Sequence, residues 1–300
     1  MTNFVKIGDL ELIITNKICR TIRIKEEWDT DVKYPEVLIR ELKTKQVPAD
    51  LFSFVQRLPF SKPIFDYKME LDNVAAIPVS TFDRWWTEQI TQEVRNKVRK
   101  STRCGVIVRT VEFSDDLVRQ IKEIYDEIPL RRGVPFIDYA KSFDEVKGGN
   151  ATFLDRADFL GAYLGDELIG FIKLVYTENF ARTMGILAKV SRRDCAPMNA
   201  LVAKAVDLCA NKHVPYFAYG KFVYGSKGID SLTRFKKDVG FQQFDIPRYY
   251  VPLTSRGKIM LSLNLHKRSN EILPKWMVIL GLQMRGKLNK LRFKLKRETK

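Results

Sequence analysis

Two apolar segments separated by a glycine-containing turn restrict the fold of this 300-residue chain more than any other feature. Residues 159–164 and 168–176 are rich in large apolar side chains, and Gly165-Asp166 between them is a strong short-range signal for a β-hairpin. A third strand-like run, residues 183–190, follows directly. The sequence therefore predicts an antiparallel meander of three strands.

A helix start signal follows the meander. Pro197 suits a first helical turn, because its missing N–H would have no partner there, and an apolar face with Leu201, Ala205, Leu208 and Cys209 follows. Periodicity and turn residues predict the other elements: a helix from 81 to near 105, a strand over 106–113, a helix over 115–128, a strand over 215–219, a helix over 229–238 and an extended run over 241–253. From residue 106 the predicted order is β-α-α-β-β-β-α-β-α-β. Residues 1–80 predict a mixed α/β opening.

Four segments resemble parts of a bacterial GNAT-like group of proteins related to Fem peptidyltransferases. They are DNVAAIPVSTFDRWW (72–86), RNKVRKSTRCGVIVR (95–109), IPLRRGVPFIDYAKSF (128–143) and YGKFVYGSKGIDSLTRFKKDVGF (219–241), within residues 60–253. The resemblance implies a GNAT fold, which is an α/β fold of the α+β type with a mixed, mostly antiparallel central sheet flanked by helices. It divides the chain into an N-terminal α/β part (1–80) that could be a partial second GNAT-like half, a GNAT-like acyltransferase domain (81–253) and a basic tail (254–300) with a C-terminal helix.

The same resemblance implies where an acyl donor would bind. The pair LGAYLGDELIGFIKLVY (160–176) corresponds to the strands before the donor-binding strand, so residues 184–188 would line the donor. The usual Gln/Arg-x-x-Gly-x-Gly/Ala pattern, which wraps a pyrophosphate with backbone amides, is replaced by Ser-Arg-Arg-Asp-Cys-Ala at 191–196. A helix N-terminus and two arginines can still bind phosphate. The expected donor-binding residues are Gly185, Ile186, Leu187, Ala188, Arg192, Arg193, Ala196 and Asn199.

Two tyrosines and two carboxylates are candidates for the chemistry of acyl transfer. Tyr219 and Tyr224 lie near the end of a predicted strand, where a phenol could protonate the leaving group; ordinary aromatic packing is the alternative. Asp155 and Glu178 flank the meander and are candidate bases if burial raises their pKa values, and solvated loop carboxylates are the alternative.

This chain has a basic helix-loop segment at the position that borders the acceptor channel in GNAT relatives. Guanidinium and ammonium groups there would suit an acceptor that bears phosphate or carboxylate, such as a nucleotide sugar or a lipid-linked precursor. A solvated charged loop explains the same residues. The candidate acceptor-binding residues are Arg131, Arg132, Phe136, Tyr139, Lys141 and Lys221.

Cysteine and metal chemistry are poorly supported. Four cysteines form no CxxC pair and two histidines give no ligand spacing, so no metal site is expected. Cys209 falls on an apolar helix face and is predicted to be a core residue. Cys195, near a helix start and two arginines, could have a lowered pKa, but no histidine is placed beside it by the sequence.

The positive charge is concentrated at the C-terminus. The formal net charge is +16, and residues 251–300 contain 13 Lys or Arg against two Glu. Leu280, Met284, Leu288, Leu291 and Leu295 recur at helical spacing among these cations. Residues 270–300 could bind an anionic membrane surface, dock on the protein's own core, or bind tRNA. With no signal peptide and no apolar run near the roughly 20 residues of a membrane span, a cytoplasmic protein, peripheral at the inner face of the cell membrane, is expected.

Three functions remain open from the sequence. The first is direct N-acyl transfer from acetyl-CoA or another acyl-CoA to an amine of a small molecule or a cell-envelope precursor. The second is Fem-like transfer from aminoacyl-tRNA, since Fem-like relatives also lack the glycine pattern and some use that donor. The third is a non-catalytic binding module that keeps the fold without the transfer activity.

Overall fold

A computed structural model of the protein describes residues 3–15, 19–131, 134–224 and 231–267. Its strands are β1 (Asn3–Ile7), β2 (Leu10–Thr15), β3 (Thr21–Ile24), β4 (Leu51–Val55), β5 (Lys68–Pro78), β6 (Val106–Val111), β7 (Leu130–Arg131), β8 (Val134–Pro135), β9 (Ala157–Leu164), β10 (Glu167–Tyr176), β11 (Ala181–Ala188), β12 (Tyr216–Ala218) and β13 (Gln242–Pro252). Its α-helices are α1 (Pro35–Thr44), α2 (Phe82–Arg84), α3 (Gln92–Arg103), α4 (Asp115–Asp126), α5 (Phe143–Asn150), α6 (Pro197–Asn211), α7 (Ser231–Asp238) and α8 (Ser255–Ser262). The basic helix predicted within 270–300 lies outside the described residues.

The chain forms two compact units. The described residues up to Val74 form the first unit together with residues 243–267, and residues 75–242 form the second unit. Residues 243–253 belong to the first unit because β13 pairs there with β4, which places Tyr249 opposite Phe54 in the core. The sequence instead predicts one domain over residues 81–253. That independent domains end at residues 80 and 253 stays a prediction.

The first unit is a mixed sheet with a helix packed on it. Its strand order is β1-β2-β3-β4-β13-β5. Among the first five strands in this order, β3 and β4 pair in parallel and the other neighbours pair antiparallel. The helix α1 buries Leu38, Ile39 and Leu42 against the apolar faces of these strands. The mixed α/β opening predicted from residues 1–80 is confirmed.

The second unit carries the meander. Its strand order is β5-β12-β11-β10-β9-β6, in which β11–β12 is the parallel pair and the other pairs are antiparallel. Helices cover both faces: α4 and α5 pack on the side of Phe159 and Phe171, and α3 and α6 pack on the side of Leu160 and Ile172. Because β10 is covered on both faces, its residues 168–176 are apolar on both faces instead of alternating, with Lys173 as the exception. The predicted hairpin at Gly165-Asp166 and the predicted element order are confirmed, with the short β7–β8 hairpin as an addition.

The single helix predicted from residue 81 to near 105 is wrong. Residues Trp85–Gln89 form a π-helical turn after α2, and Ile90 is extended before α3 begins. The break has a local cause, because the side chain of Thr91 accepts a hydrogen bond from the Val94 amide and so starts a new helix. The buried Trp85 side chain fixes the turn by donating from its indole nitrogen to the Val239 carbonyl at 3.1 Å.

Candidate active site

The parallel strands β11 and β12 separate soon after their pairing begins. Two register pairs join them, Ala181 with Phe217 and Arg182 with Ala218. β11 then continues to Ala188, and no described strand pairs with it on the side that faces β12. Residues 183–188 therefore present one open edge of strand backbone within the second unit.

A β-bulge lies where the two strands separate. Lys173 of β10 pairs with Gly185 and Leu174 pairs with Thr183, so Met184 is an extra residue in β11. A bulge bends its strand and re-aims the groups around it. Thr183 is 7% exposed, and its Oγ1 atom has no hydrogen-bond partner among the described residues. Buried hydroxyls are normally paired, so this orphan atom is consistent with a ligand group being received at the bulge.

The four predicted donor-binding residues of β11 lie together beyond the bulge. Gly185, Ile186, Leu187 and Ala188 are all half-buried. Ile186 packs on the α6 side of the sheet and Leu187 on the α4 side. A side chain at Gly185 would meet the Phe171 ring at 3.1 Å, which explains the glycine. That these four residues bind a donor stays a prediction.

The loop between β11 and α6 uses most of its own amides. Glu127, at the end of α4, accepts hydrogen bonds from the Val190 amide at 2.6 Å, the Ser191 amide at 2.8 Å and the Ser191 hydroxyl at 2.7 Å. The amides of residues 193, 195 and 196 donate to carbonyl oxygens within the loop. Pro197 has no N–H. The loop therefore leaves few amides for an anion, unlike a glycine-rich pyrophosphate loop.

Arg131 completes this arrangement. Its guanidinium lies 3.8 Å from the Glu127 carboxylate and donates to the Ala188 carbonyl at 3.4 Å and the Ile124 carbonyl at 3.0 Å. Burial raises the pKa of Glu127, but the hydrogen bonds from Ser191 and Val190 and the charge of Arg131 outweigh it and hold that pKa below its usual value. A predicted acceptor-binding residue is thus brought to the end of the predicted donor strand.

The other predicted donor-binding residues surround the start of α6. Arg192 pairs with Glu167 at 2.7 Å, and Arg193 is exposed. Ala196 precedes α6 in a left-handed conformation with φ of 50°, and Asn199 is buried in the first turn. The helix begins without a side-chain cap.

The remaining predicted acceptor-binding residues are spread over a short surface segment. Phe136 packs edge-on against Tyr125 and beneath the Arg131 guanidinium. Tyr139 is partly exposed, and Lys141 pairs with Asp138 at 2.6 Å. Arg132 lies outside the described residues. That these residues bind an acceptor stays a prediction.

The two candidate tyrosines meet at a buried lysine. Lys236 of α7 is fully buried, and its Nζ atom donates to the carbonyl oxygens of Tyr219 at 2.8 Å and Lys221 at 2.6 Å. The same ammonium lies 4.3 Å from the ring centroid of Tyr219 and 5.0 Å from that of Tyr224. Tyr219 directly follows the last residue of β12 that pairs with β11. The structure therefore places a positive charge at the point where the two strands separate.

A second buried lysine holds the segment before β9. Lys173 of β10 donates to the Asn150 carbonyl at 2.8 Å and to the Thr152 carbonyl and hydroxyl. The Thr152 hydroxyl in turn lies 3.9 Å from the sulfur of Met184. Lys173 therefore ties the α5–β9 connection to the strand that carries the bulge.

The two candidate bases are not part of these clusters. Asp155 lies in the short 3₁₀ turn before β9 and Glu178 in the turn between β10 and β11, and both are exposed. Their role as bases stays a prediction.

The cysteines give one confirmation and one correction. Cys209 is fully buried in the core, as predicted. The lowered pKa suggested for Cys195 is wrong, because a hydrogen bond with Cys104, burial and the nearby Asp194 all raise the pKa of its thiol.

Within the described ranges, no group of three His, Cys, Asp or Glu residues could hold a metal ion. Across the same part of the chain, no helix has the length and hydrophobicity needed to cross a bilayer.

Glu127, Lys173 and Thr183 are site residues that the sequence did not reveal, and for Lys236 the sequence left open whether it is a binding cation or a solvated surface charge. Glu127 contacts a loop more than 60 positions away, and no local pattern signals such a contact. The sequence gives one weak indication that Lys236 is buried, because Lys236 lies three residues after Thr233 and three before the apolar Val239, which is the spacing of one helix face. The structure shows all three residues buried.

Comparison with known proteins gives matches at the level of structure. No family model matches the sequence, and no curated protein matches it significantly. The C-terminal domain (DUF2156) of a protein from Agrobacterium fabrum, assigned as a lysylphosphatidylglycerol synthetase, matches with a TM-score of 0.57 at 12% identity over 87% of this chain and 86% of that one. FemX matches with a TM-score of 0.56 at 12% identity over 82% and 87% of the two chains. L-PGS from Bacillus licheniformis matches with a TM-score of 0.57 at 14% identity over 87% of each chain.

These similarities establish the fold. The meander β9–β10–β11, the helix α6 and the separating strand β12 are the elements that the resemblance implies. The predicted fold, a mixed and mostly antiparallel sheet flanked by helices, is confirmed, and it is similar to the fold of FemX and of the two other structures.

Proposed function

We propose that the protein is an acyltransferase that passes an acyl group directly from a donor to an amine at the bulge of β11. The observation that supports this most is the open edge of residues 183–188, beside a buried hydroxyl without a partner. Direct transfer depends mainly on orientation of the two reactants and on stabilisation of the oxyanion that develops on the carbonyl. Backbone N–H groups on an unpaired strand edge can supply both.

The proposed roles of the neighbouring residues follow from their positions. Lys236 holds the backbone of residues 219–221 and adds positive charge near the developing oxyanion, so it acts as a positioning residue. Tyr219 and Tyr224 are proposed to protonate the leaving group. Asp155 and Glu178, both solvated, are proposed to receive the proton of the amine. The amine would belong to a small molecule or a cell-envelope precursor.

We favour aminoacyl-tRNA over acyl-CoA as the donor. The amides of the β11–α6 loop are largely used within the protein, and Arg192 is already paired with Glu167. A pyrophosphate would therefore find few free donors at this loop. One of the similar structures is assigned as a lysylphosphatidylglycerol synthetase, a name that includes an aminoacyl group, which points in the same direction.

The donor proposal is tested by supplying both classes of donor to the same preparation. Aminoacyl-tRNAs charged with labelled amino acids, and labelled acyl-CoAs, are incubated with a pool of envelope-precursor amines, and label in new amides is measured by mass spectrometry. We expect label from aminoacyl-tRNA only. Label from acyl-CoA alone would reject aminoacyl-tRNA as the donor but would support the acyltransferase function. No new amide from either donor would reject the transferase in favour of a non-catalytic binding module.

The basic tail is proposed to bring the protein to an anionic membrane surface from the cytoplasmic side. This rests on the sequence of residues 270–300, which combines an apolar stripe with many cations. tRNA is a further anionic partner if the aminoacyl donor holds, and its binding would weaken steeply with salt.

A further inference from the structure

Glu127 is bound in the way that a small anion is bound. Two consecutive backbone amides and a hydroxyl converge on its carboxylate at 2.6 to 2.8 Å, and a guanidinium lies 3.8 Å away. Two of these donors belong to Ser191, three residues after the end of the proposed donor strand. We infer that Glu127 is an internal anion that keeps phosphate groups from the β11–α6 loop, and so decides which class of acyl donor the chain accepts.

Space alone does not exclude a phosphate here. A cleft of about 570 Å³, within the range of ordinary ligand sites, opens beside the loop and is lined by Glu127, Ser191 and Lys189 among others. Two of its three lining cations are paired with carboxylates: Lys122 pairs with Asp126 at 2.5 Å and Lys189 pairs with Glu167 at 2.9 Å, whereas Arg119 lies 5.8 Å from the centroid of the Phe143 ring. The cleft could hold a pyrophosphate by size, but Glu127 accepts from the Val190 and Ser191 amides, and two of the three lining cations are paired with the protein's own carboxylates.

Displacing Glu127 would be costly. An incoming phosphate must break three charge-assisted hydrogen bonds and leave a half-buried carboxylate beside a second anion. Nucleotide thioesters that depend on a pyrophosphate contact at this loop are therefore rejected. A donor held through its ester carbonyl at the bulge is not affected, because Met184 lies six residues before Val190 and, within the described ranges, forms no hydrogen bond with Glu127.

The inference rests on the proposed acyltransferase function for its consequence for donors, but anion exclusion can be measured without turnover. We would titrate inorganic pyrophosphate and coenzyme A into the wild-type full-length protein, Glu127→Ala and Glu127→Gln, and follow the Val190 and Ser191 amide resonances together with calorimetry. Glu123→Ala is the matched control, because Glu123 lies one turn earlier on α4, lines the same cleft and pairs with Lys189 without touching either amide.

We expect pyrophosphate to leave both amides unmoved in the wild type and in Glu123→Ala. In Glu127→Ala it should shift both amides and bind at least about tenfold more tightly, the factor expected for one charge-assisted hydrogen bond. Glu127→Gln should lie between, because the amide keeps an acceptor but loses the charge.

Two outcomes would overturn the inference. One is a shift of the Val190 and Ser191 amides in the wild type, which needs no variant and so stays decisive if a variant does not fold. The other is a folded Glu127→Ala protein that binds pyrophosphate no better than Glu123→Ala. Neither result bears on whether an aminoacyl group is transferred, so failure here is distinct from failure of the proposed function.

Discussion

The ammonium of Lys236 donates a hydrogen bond to the carbonyl oxygen of Tyr219 at 2.8 Å and lies 4.3 Å from the ring centroid of the same residue. One side chain thus fixes both the backbone and the ring of Tyr219, where β12 leaves β11. Because an ammonium has three donors and no acceptor, carbonyl oxygens and aromatic faces are suitable partners for it in a buried position. The position and the charge of Lys236 can be separated by substitution.

Replacing Lys236 by methionine keeps the length of the side chain and removes its charge. Two carbonyl oxygens lose their buried donor, so we expect the free energy of unfolding to fall by about 1–3 kcal/mol. If the proposed transfer occurs, kcat should fall by about a hundredfold, with a much smaller change in KM. Lys236→Arg should recover part of kcat. Lys237→Met, the exposed neighbour on α7, should behave as wild type; equal effects of the two methionine variants would contradict the assignment.

Gly220 is required by its conformation and by Tyr224. Its φ of +54° lies in the left-handed region, and a Cβ atom there would lie 2.5 Å from the Tyr224 hydroxyl oxygen. We expect Gly220→Ala to lower the free energy of unfolding by more than the roughly 1–2 kcal/mol of the backbone conformation alone. Adding Tyr224→Phe should recover the excess, because it removes the clashing oxygen. Urea unfolding of the four proteins of this cycle measures the coupling; purely additive effects would mean that the hydroxyl does not lie there. Gly148→Ala, which meets nothing within 4 Å, is the control.

The parts of the fold that were predictable are those with local signals. The hairpin at Gly165-Asp166 and the start of α6 at Pro197 each depend on a few adjacent residues, and the structure has both. The apolar run of residues 168–176 indicates a strand covered on both faces, as found for β10. The break before α3 was missed because a helical period continues through Thr91, whose side chain nevertheless caps a new helix.

The candidate site was only partly predictable because its contacts are long-range. The residues of β11 followed from the resemblance, but the bulge at Met184 depends on register with β10, which no local pattern shows. A lysine in a charged helix normally indicates a solvated face, so the burial of Lys236 next to the exposed Lys237 could be inferred only from the phase of α7.

In the first unit, Arg248 neutralises two buried carboxylates. Its guanidinium makes a two-point contact with Glu27 at 2.9 Å and contacts Asp72 at 3.1 Å. Removing one partner of a buried ion pair leaves uncompensated charge, so Arg248→Met should lower the free energy of unfolding by about 3–5 kcal/mol. Arg248→Lys should recover little, since lysine cannot form the two-point contact. The exposed Arg40→Met is the control, and a loss below about 1 kcal/mol, typical of surface pairs, would contradict this role.

Deleting residues 270–300 should abolish binding to vesicles that contain anionic phospholipid. The apolar stripe and the cations are both lost, so neither hydrophobic insertion nor headgroup attraction remains. Co-sedimentation with anionic and with neutral vesicles measures the effect, and circular dichroism checks that the fold is retained. Undiminished binding of the shortened chain to anionic vesicles would reject the membrane role, and loss of the fold would favour a tail docked on the core.

The contact between Glu127 and Ser191 should make stability depend on pH in one direction. The pKa of Glu127 is lower in the folded chain than its ordinary value, so the carboxylate stabilises the fold above its unfolded pKa of about 4.3, and this contribution is lost as pH falls through the lower folded pKa. The difference in free energy of unfolding between wild type and Glu127→Gln should thus stay constant from pH 7 to about 5 and shrink toward zero below about pH 4. Urea unfolding at these pH values measures it, with Glu123→Gln reporting the loss of a charge on the same helix. A difference that grows on acidification would mean that Ser191 does not stabilise the ionised carboxylate.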